Sequence, residues 1–294
     1  MPRLLTILAL QHGHVAGDPA ATLDQFEERV RAASRLLEQV DLVMAPELYL
    51  SAPPALLDED DDYAQRAAID VPGPETERLG RLARETGLWL VPGTVYERTP
   101  DGIANTALVF DPDGDFVTRY RKCFPWQPFE GTTPGRRLET FDIPGVGRIG
   151  LAICYDGTFP EVFRQLAWYG AEAVLQPVLT STVDREPEVV CARANAIFNQ
   201  LHVVSLNAPS PYGHGRSVVV DPEGTVRYEA GTGEEQITVT LDLDAAATAR
   251  SRGSFGINRM LDQLDRLGPD LELPMYGGYV PRPAEARINE EQPA

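Results

Sequence analysis

The chain is poor in cysteine, histidine and positive charge, and each shortage closes off a class of function. Three cysteines without paired spacing build no disulfide framework. Four histidines, with His12 and His14 close together, form no convincing metal site and fall in no motif of a Cys-His protease. Against 44 acidic residues stand only 26 Lys and Arg, a formal net charge of −18. Nucleic acid and anionic membrane surfaces select basic patches, so neither is an expected partner, whereas small neutral or cationic ligands suit an acidic field. Apolar runs of membrane-spanning length are missing, and the opening MPRLLTILALQ is too short and too soon polar for a signal peptide. The expected location is the cytoplasm. Neither G-x-G-x-x-G nor G-x-x-x-x-G-K-[ST] occurs, which removes the usual grounds for a nucleotide-binding α/β protein.

What the chain does have is length and apolar content enough for an extensive core: 294 residues, 43% hydrophobic. Short β-like runs recur at LLTILAL (from 4), DLVMAPELY (41), LWLVPGTVY (88), NTALVFDPDG (105), RIGLAICYD (148), AEAVLQPV (171) and LHVVSLNAP (201). Between them stand helical patterns, ATLDQFEERVRAASRLLEQV (21), GPETERLGRLARETG (73), FPEVFRQLAWYG (159) and EPEVVCARANAIFNQ (186). Such alternation predicts an α/β protein. Two D-P-x-G turns, in ALVFDPDGDFVTRY and SVVVDPEGTVRYEA, predict hairpins that a purely parallel fold does not need. The mixture predicts two mixed sheets facing one another with helices outside. No repeat or long linker divides the chain, so one domain is expected over 1–268, followed by a polar, Pro-containing tail over 269–294. A tail of that kind is ordered only against a partner subunit, and a homo-oligomer, dimer or higher, is expected. The acidic DEDDD at 58–62 reads as a solvated loop.

Chemistry is concentrated around LAICYDGTFPE at 151–161. Cys154 ends an apolar run and is followed by Asp156-Gly157 and Phe159-Pro160-Glu161, a turn and a helix start. A lone cysteine is ordinarily a small buried hydrophobe. Here the thiol sits where strand becomes helix, where backbone N–H groups and the positive helix end depress a thiol pKa and bind an oxyanion. With histidine an unpromising base, a carboxylate is the better candidate. Glu47, in VMAPELYL, stands at the mouth of a buried strand; a solvated strand-end Glu is the plain alternative, but partial desolvation there favours a general base. Lys122 lies in RYRKCFPWQPFEG beside Arg119 and Arg121, which read as the exposed side of an edge strand. The following CFPWQPFEGTTPG, with Glu130 eight residues after Lys122, has the composition of a rigid loop shaping a pocket. Cys123 must point away from Lys122 on a strand, and Cys191 lies in a helical pattern; both read as structural or incidental.

With these residues assembled, the chain resembles the nitrilase (carbon-nitrogen hydrolase) superfamily, and within it the aliphatic amidases and formamidases. Lys122 with PWQPFEGTTPG matches their lysine and PW-x-P-x-E-G-x-x-P-G loop, and CYDGTFPE matches their cysteine motif; YGHGRSVVVDPEG resembles their Gly-rich strand and D-x-x-G turn. The likeness runs from the first strand to about residue 265. It implies an α-β-β-α four-layer sandwich with no metal or organic cofactor. It also implies that Glu47 is the general base, Lys122 the oxyanion stabiliser, Cys154 the nucleophile and Glu130 a second glutamate orienting the amide. Trp126 would close the acyl pocket around a small substrate, and the N–H of Tyr155 would join Lys122 at the oxyanion. Three departures stand out. LYLSAPPALL after Glu47 lacks the usual glycine and tyrosine, Tyr155 occupies the place of a second acid, and ARSRGSFGINRML is only loosely similar. The implied reaction is hydrolysis of a small carboxamide to acid and ammonia through a thioester. A nitrilase, an N-carbamoyl hydrolase and an acyltransferase use the same triad, and a non-catalytic binding protein of this fold is the reading from another class.

Overall fold

Along LLTILALQ successive side chains point to opposite sides of the strand β1 (Leu4–Gln11), and every second one meets a different layer. Ile7 and Ala9 enter a core shared with a second sheet, whereas Leu8 and Leu10 meet helices on the outer face. The computed structural model describes residues 2–37, 39–54, 62–268, 271–273 and 278–279.

The first sheet joins β1 to β2 (Leu42–Met44), β3 (Trp89–Val91), β4 (Thr94–Thr99), β5 (Gly102–Phe110), β6 (Phe116–Arg121) and β13 (Glu235–Asp242), in the order β13-β1-β2-β3-β5-β4 with β6 also on β5. The second contains β7 (Thr140–Ile143), β8 (Gly147–Leu151), β9 (Ala173–Val178), β10 (His202–Asn207), β11 (Val218–Val220) and β12 (Val226–Glu229), ordered β12-β11-β10-β9-β8-β7. Both are mixed. β1, β2 and β3 are parallel, as are β8, β9 and β10; antiparallel pairing at the edges comes from hairpins and, in the first sheet, from β13 returning beside β1. The two D-P-x-G segments form the β5–β6 and β11–β12 turns, where Asp111 and Asp221 accept from the backbone N–H groups of Asp115 and Thr225.

Leu42, Met44 and Val109 of one sheet share a buried core with Ile149, Leu175 and Leu206 of the other. Outside the first sheet, α1 (Pro19–Leu36) and α3 (Pro74–Thr86) bury Phe26, Val30, Leu79 and Leu82; outside the second, α4 (Pro160–Trp168) and α5 (Arg185–Asn199) bury Phe163, Leu166, Val189 and Ala196. The result is the α-β-β-α sandwich. Three further helices, α2 (Tyr63–Ala67), α6 (Leu243–Arg252) and α7 (Met260–Leu267), lie on the connections. No helix among the described residues is long and apolar enough to cross a membrane.

Some boundaries differ from the pattern in the sequence. DLVMAPELY contributes only the three residues of β2, because Pro46 lacks the N–H a ladder needs. LWLVPGTVY is two strands, since the chain turns at Pro92-Gly93 between β3 and β4. Gly93 has φ +78°, and a β-carbon there would lie 2.0 Å from the Pro46 carbonyl oxygen. Arg119 and Arg121 are half-buried and not simply exposed: both pair with the buried Glu97, at 2.9 and 2.7 Å. Most of DEDDD lies outside the described residues. Of 269–294, the description covers a two-residue antiparallel pairing of Glu272–Leu273 with Gly278–Tyr279.

Candidate active site

Where β2, β6 and β8 end, the chain places a carboxylate, an ammonium and a thiol around one cleft. Glu47 follows β2 after Ala45-Pro46, and its N–H donates to the Val178 carbonyl of the second sheet at 3.3 Å. Lys122 lies one residue past β6, with its N–H on the Asn105 carbonyl at 2.8 Å. Cys154 opens a 3-10 turn, Cys154–Thr158, that leads from β8 into α4. Its φ is +43°, a conformation costly for a side chain. Gln176 holds it there by donating to the Cys154 carbonyl at 2.8 Å, and Asp156 folds the turn back by accepting from the Ile153 N–H at 2.9 Å.

The cleft has a volume of about 460 Å³, and Glu47, Lys122, Glu130, Cys154, Trp126 and Tyr96 contribute to its wall. Lys122 Nζ donates to Glu47 Oε1 at 2.8 Å and to Glu130 Oε2 at 2.6 Å. Asn105 Nδ2 bridges the same carboxylates, 2.8 Å from Glu47 Oε1 and 3.0 Å from Glu130 Oε1. Glu130 accepts further from the Trp126 N–H at 3.0 Å and the Thr132 hydroxyl at 2.9 Å. Its loop is therefore tied down by its own carboxylate.

Burial governs the charges. It pushes the Glu47 carboxyl up, more than the Lys122 ammonium pulls it down. It opposes the charge on Lys122, yet Glu47, Cys154 and Glu130 together hold the ammonium well above its ordinary pKa. Glu130 ends below the carboxylate range: burial raises it, but Lys122 and the hydrogen bonds lower it further. Burial and then the Glu47 charge push the Cys154 thiol well above its ordinary value. This corrects the expectation of a helix-depressed thiol; the resting group is a neutral S–H that needs a base.

A second cleft of about 270 Å³ opens on the other side of Cys154, with Trp126, Tyr155, Thr180, Glu188 and Cys191 in its wall. Trp126 thus borders both spaces, whereas Tyr155 faces only the second and makes an edge contact with Phe159, centroids 5.2 Å apart. Cys191, on α5, lies on the wall of this second cleft. Cys123 lines neither cleft and directs its sulfur toward the Arg121 and Arg137 carbonyls. Among the described residues no cluster of His, Cys, Asp and Glu has the makings of a metal site.

Asn105, Asp156, Thr180 and Glu188 escaped the sequence reading. Asp156 lies fully buried within the motif already singled out. It accepts from the Tyr120 hydroxyl at 2.8 Å and from the Phe124 N–H at 2.9 Å, which joins the cysteine turn to the loop after β6. Burial pushes its pKa up to about 6. Its place two residues after Cys154 was the available signal; the other three are ordinary strand, loop and helix residues in sequence.

The family model described as carbon-nitrogen hydrolase matches residues 6–251. The omega-amidase NIT3 of Saccharomyces cerevisiae is 31% identical over 263 residues, 83% of this chain and 89% of that protein. A formamidase of Bacillus thuringiensis is 31% identical over 205 residues, 67% of this chain and 61% of the relative. The crystal structure of yeast Nit3 superposes with a TM-score of 0.75 at 28% identity, covering 84% of this chain and 93% of that one. An amidase from Nesterenkonia sp. AN1, solved as a cysteine-to-alanine variant with butyramide, has a TM-score of 0.69 at 25% identity and covers 85% and 95% of the two chains.

Proposed function

The chain belongs to the carbon-nitrogen hydrolase family, hydrolases of C–N bonds, and from that premise we propose that it hydrolyses a small carboxamide to the carboxylic acid and ammonia through a thioester on Cys154. The observation that carries this reading is Lys122 Nζ held between Glu47 and Glu130, at 2.8 and 2.6 Å, on the cleft where Cys154 opens. An ammonium has three N–H donors. Two are taken by the carboxylates, and the third serves the substrate carbonyl.

Glu47 Oε1 already accepts from Lys122 and Asn105, so Oε2 takes the thiol proton as sulfur attacks the carbonyl carbon. The raised pKa of Glu47 suits it to hold that proton. Charge develops on the carbonyl oxygen, where Lys122 and the Tyr155 N–H stabilise it. As the tetrahedral centre collapses, Glu47 gives the proton to nitrogen, the C–N bond breaks and ammonia leaves. Water then attacks the thioester, Glu47 accepts its proton and returns one to sulfur, and the acid departs. Glu130 fixes Lys122 and the amide, and Trp126 limits the acyl group. Binding of butyramide by the Nesterenkonia amidase supports a small aliphatic substrate.

We further assign 1–268 as the hydrolase domain, 269–294 as its tail, and the cytoplasm as its location, where three unpaired cysteines stay reduced. Assembly as a homo-oligomer is supported by Val183, Val190 and Phe198, 86%, 58% and 50% exposed along α5 and just ahead of it. Incubation with primary amides graded by length and end charge should release ammonia and carboxylate in equal amounts, with a slow substrate leaving an acyl adduct on Cys154. An adduct on another cysteine, or no ammonia from any amide, defeats the proposal.

A further inference from the structure

The thiol has a second polar neighbour that the mechanism above does not use. Cys154 Sγ lies 3.6 Å from the Thr180 hydroxyl oxygen, both groups buried. That hydroxyl is 2.7 Å from Glu188 Oε1. A threonine has one O–H proton and an ionised carboxylate has none, so Thr180 donates to Glu188. Its oxygen is left to accept, and the S–H is the donor in the contact with Cys154. Glu188 Oε2 is in turn bound by the fully buried Arg185, 3.2 Å away. A carboxylate on α5 thus reaches the sulfur through a hydroxyl.

We propose that Thr180 and Glu188 form a second proton route for Cys154, independent of Glu47. The S–H proton passes to the Thr180 oxygen while the Thr180 proton passes to Glu188 Oε1; one S–H and one O–H bond break, one O–H forms on each acceptor, and the net charge is unchanged. The transfer accompanies the attack of sulfur on an electrophile, so Glu188 serves as a general base through Thr180 and no free thiolate accumulates. Thr180 touches the reacting sulfur; Glu188 acts through it. The charged and titratable groups around Glu188 are Arg185 and Cys191 on its own helix, Asp184 just ahead of that helix, and Cys154 across the second cleft. Beyond the sulfur stand Glu47 and Lys122. The inference rests on Cys154 being the nucleophile, but its test needs no amide turnover.

The probe is iodoacetamide, which forms an S–C bond and releases iodide, with the rate at Cys154 followed by peptide mapping in a Glu47→Gln background. With the route intact, Glu188 takes the proton as sulfur attacks carbon, so the alkylation rate levels off towards pH 6 and does not keep falling about tenfold per pH unit. Adding Glu188→Gln should lower the rate at pH 6 by about tenfold or more and make it climb by about tenfold per pH unit, as for a thiol that must lose its proton to solvent. A purely electrostatic role gives the opposite sign: Glu188 raises the thiol pKa, so removing its charge speeds alkylation at every pH. Thr180→Val should act as Glu188→Gln does, and Thr180→Ser should restore the levelling. Faster alkylation with Glu188→Gln, or a profile unmoved by Thr180→Val, overturns the proposal. Alkylation that follows this pattern in a protein releasing no ammonia would refute the amidase reading alone.

Discussion

Replacing Glu130 with Gln removes one charge and almost no volume, and the network around it sets the size of the effect. Its two oxygens accept four hydrogen bonds, Lys122 and the Trp126 N–H on Oε2, Asn105 and Thr132 on Oε1, at 2.6 to 3.0 Å. A Gln side chain has one acceptor oxygen, so two donors must face its NH2 group. It will turn its oxygen to Lys122, where the charge is. The Thr132 hydroxyl rotates to accept, and Asn105 flips its amide, whose oxygen is otherwise without a hydrogen-bond partner. That flip removes the Asn105 donor from Glu47 Oε1 as well. The loss of charge-assisted bonds to a buried network costs about 2 kcal/mol, or about 4–8 °C of Tm for a domain of this size. Catalysis loses more. With one carboxylate gone Lys122 moves, and misplacement of about 1 Å lowers kcat/KM roughly 10²-fold. Differential scanning calorimetry and steady-state ammonia release measure the two losses. A variant with wild-type Tm and kcat/KM would mean that Glu130 is a solvated loop residue and that the reasoning from its contacts is wrong.

Other perturbations test separate parts of the site. Lys122→Met should reduce kcat about 10²–10³-fold, read at saturating amide; wild-type turnover would remove Lys122 from the oxyanion. Asp156, with its pKa raised from an ordinary 3.8 to about 6, binds its proton more tightly folded than unfolded. Its contribution to stability therefore falls as pH rises from about 4 to about 6 and is level above. The stability advantage of wild type over Asp156→Asn should shrink by up to about 3 kcal/mol across that window in urea titrations, and an advantage that grows would reverse the assigned shift. Gly93→Ala places a methyl group against the Pro46 carbonyl at a positive φ, adding about 1–3 kcal/mol of strain and displacing Glu47. Its kcat should fall even at temperatures where circular dichroism still reports a folded protein.

The layers were legible in sequence because they depend on local periodicity. A strand buried on both faces, such as the AVLQPV of β9, is apolar but for Gln176, and the Asp-Pro turns advertise their hairpins before any contact is known. The residues of the candidate site were legible for a different reason: Lys122, Glu130 and Cys154 sit in segments whose proline, glycine and aromatic content is unusual for connections. What stayed hidden depends on distance in sequence. Asn105 reaches Glu47 across 58 positions and Glu130 across 25, from a strand that otherwise reads as core. Thr180 meets Cys154 across 26. Nothing in VLTSTVD marks which hydroxyl faces the sulfur, because that is decided by the parallel pairing of β8 with β9.

The thiol and the groups around Glu47 are carried by opposite sheets, so the gap between them is set by the apolar slab that separates the sheets. Leu175, Leu206, Ile7 and Val91 thereby act as the spacers of an alignment they never touch. Trimming one of them lets the sheets close or slide by a fraction of an ångström, small against a sheet separation of about 10 Å but large against the reach of a proton transfer. The temperature at which such an enzyme stops working should accordingly lie below the one at which it unfolds, and variants selected for heat tolerance of activity should cluster in the seam and not around the cleft.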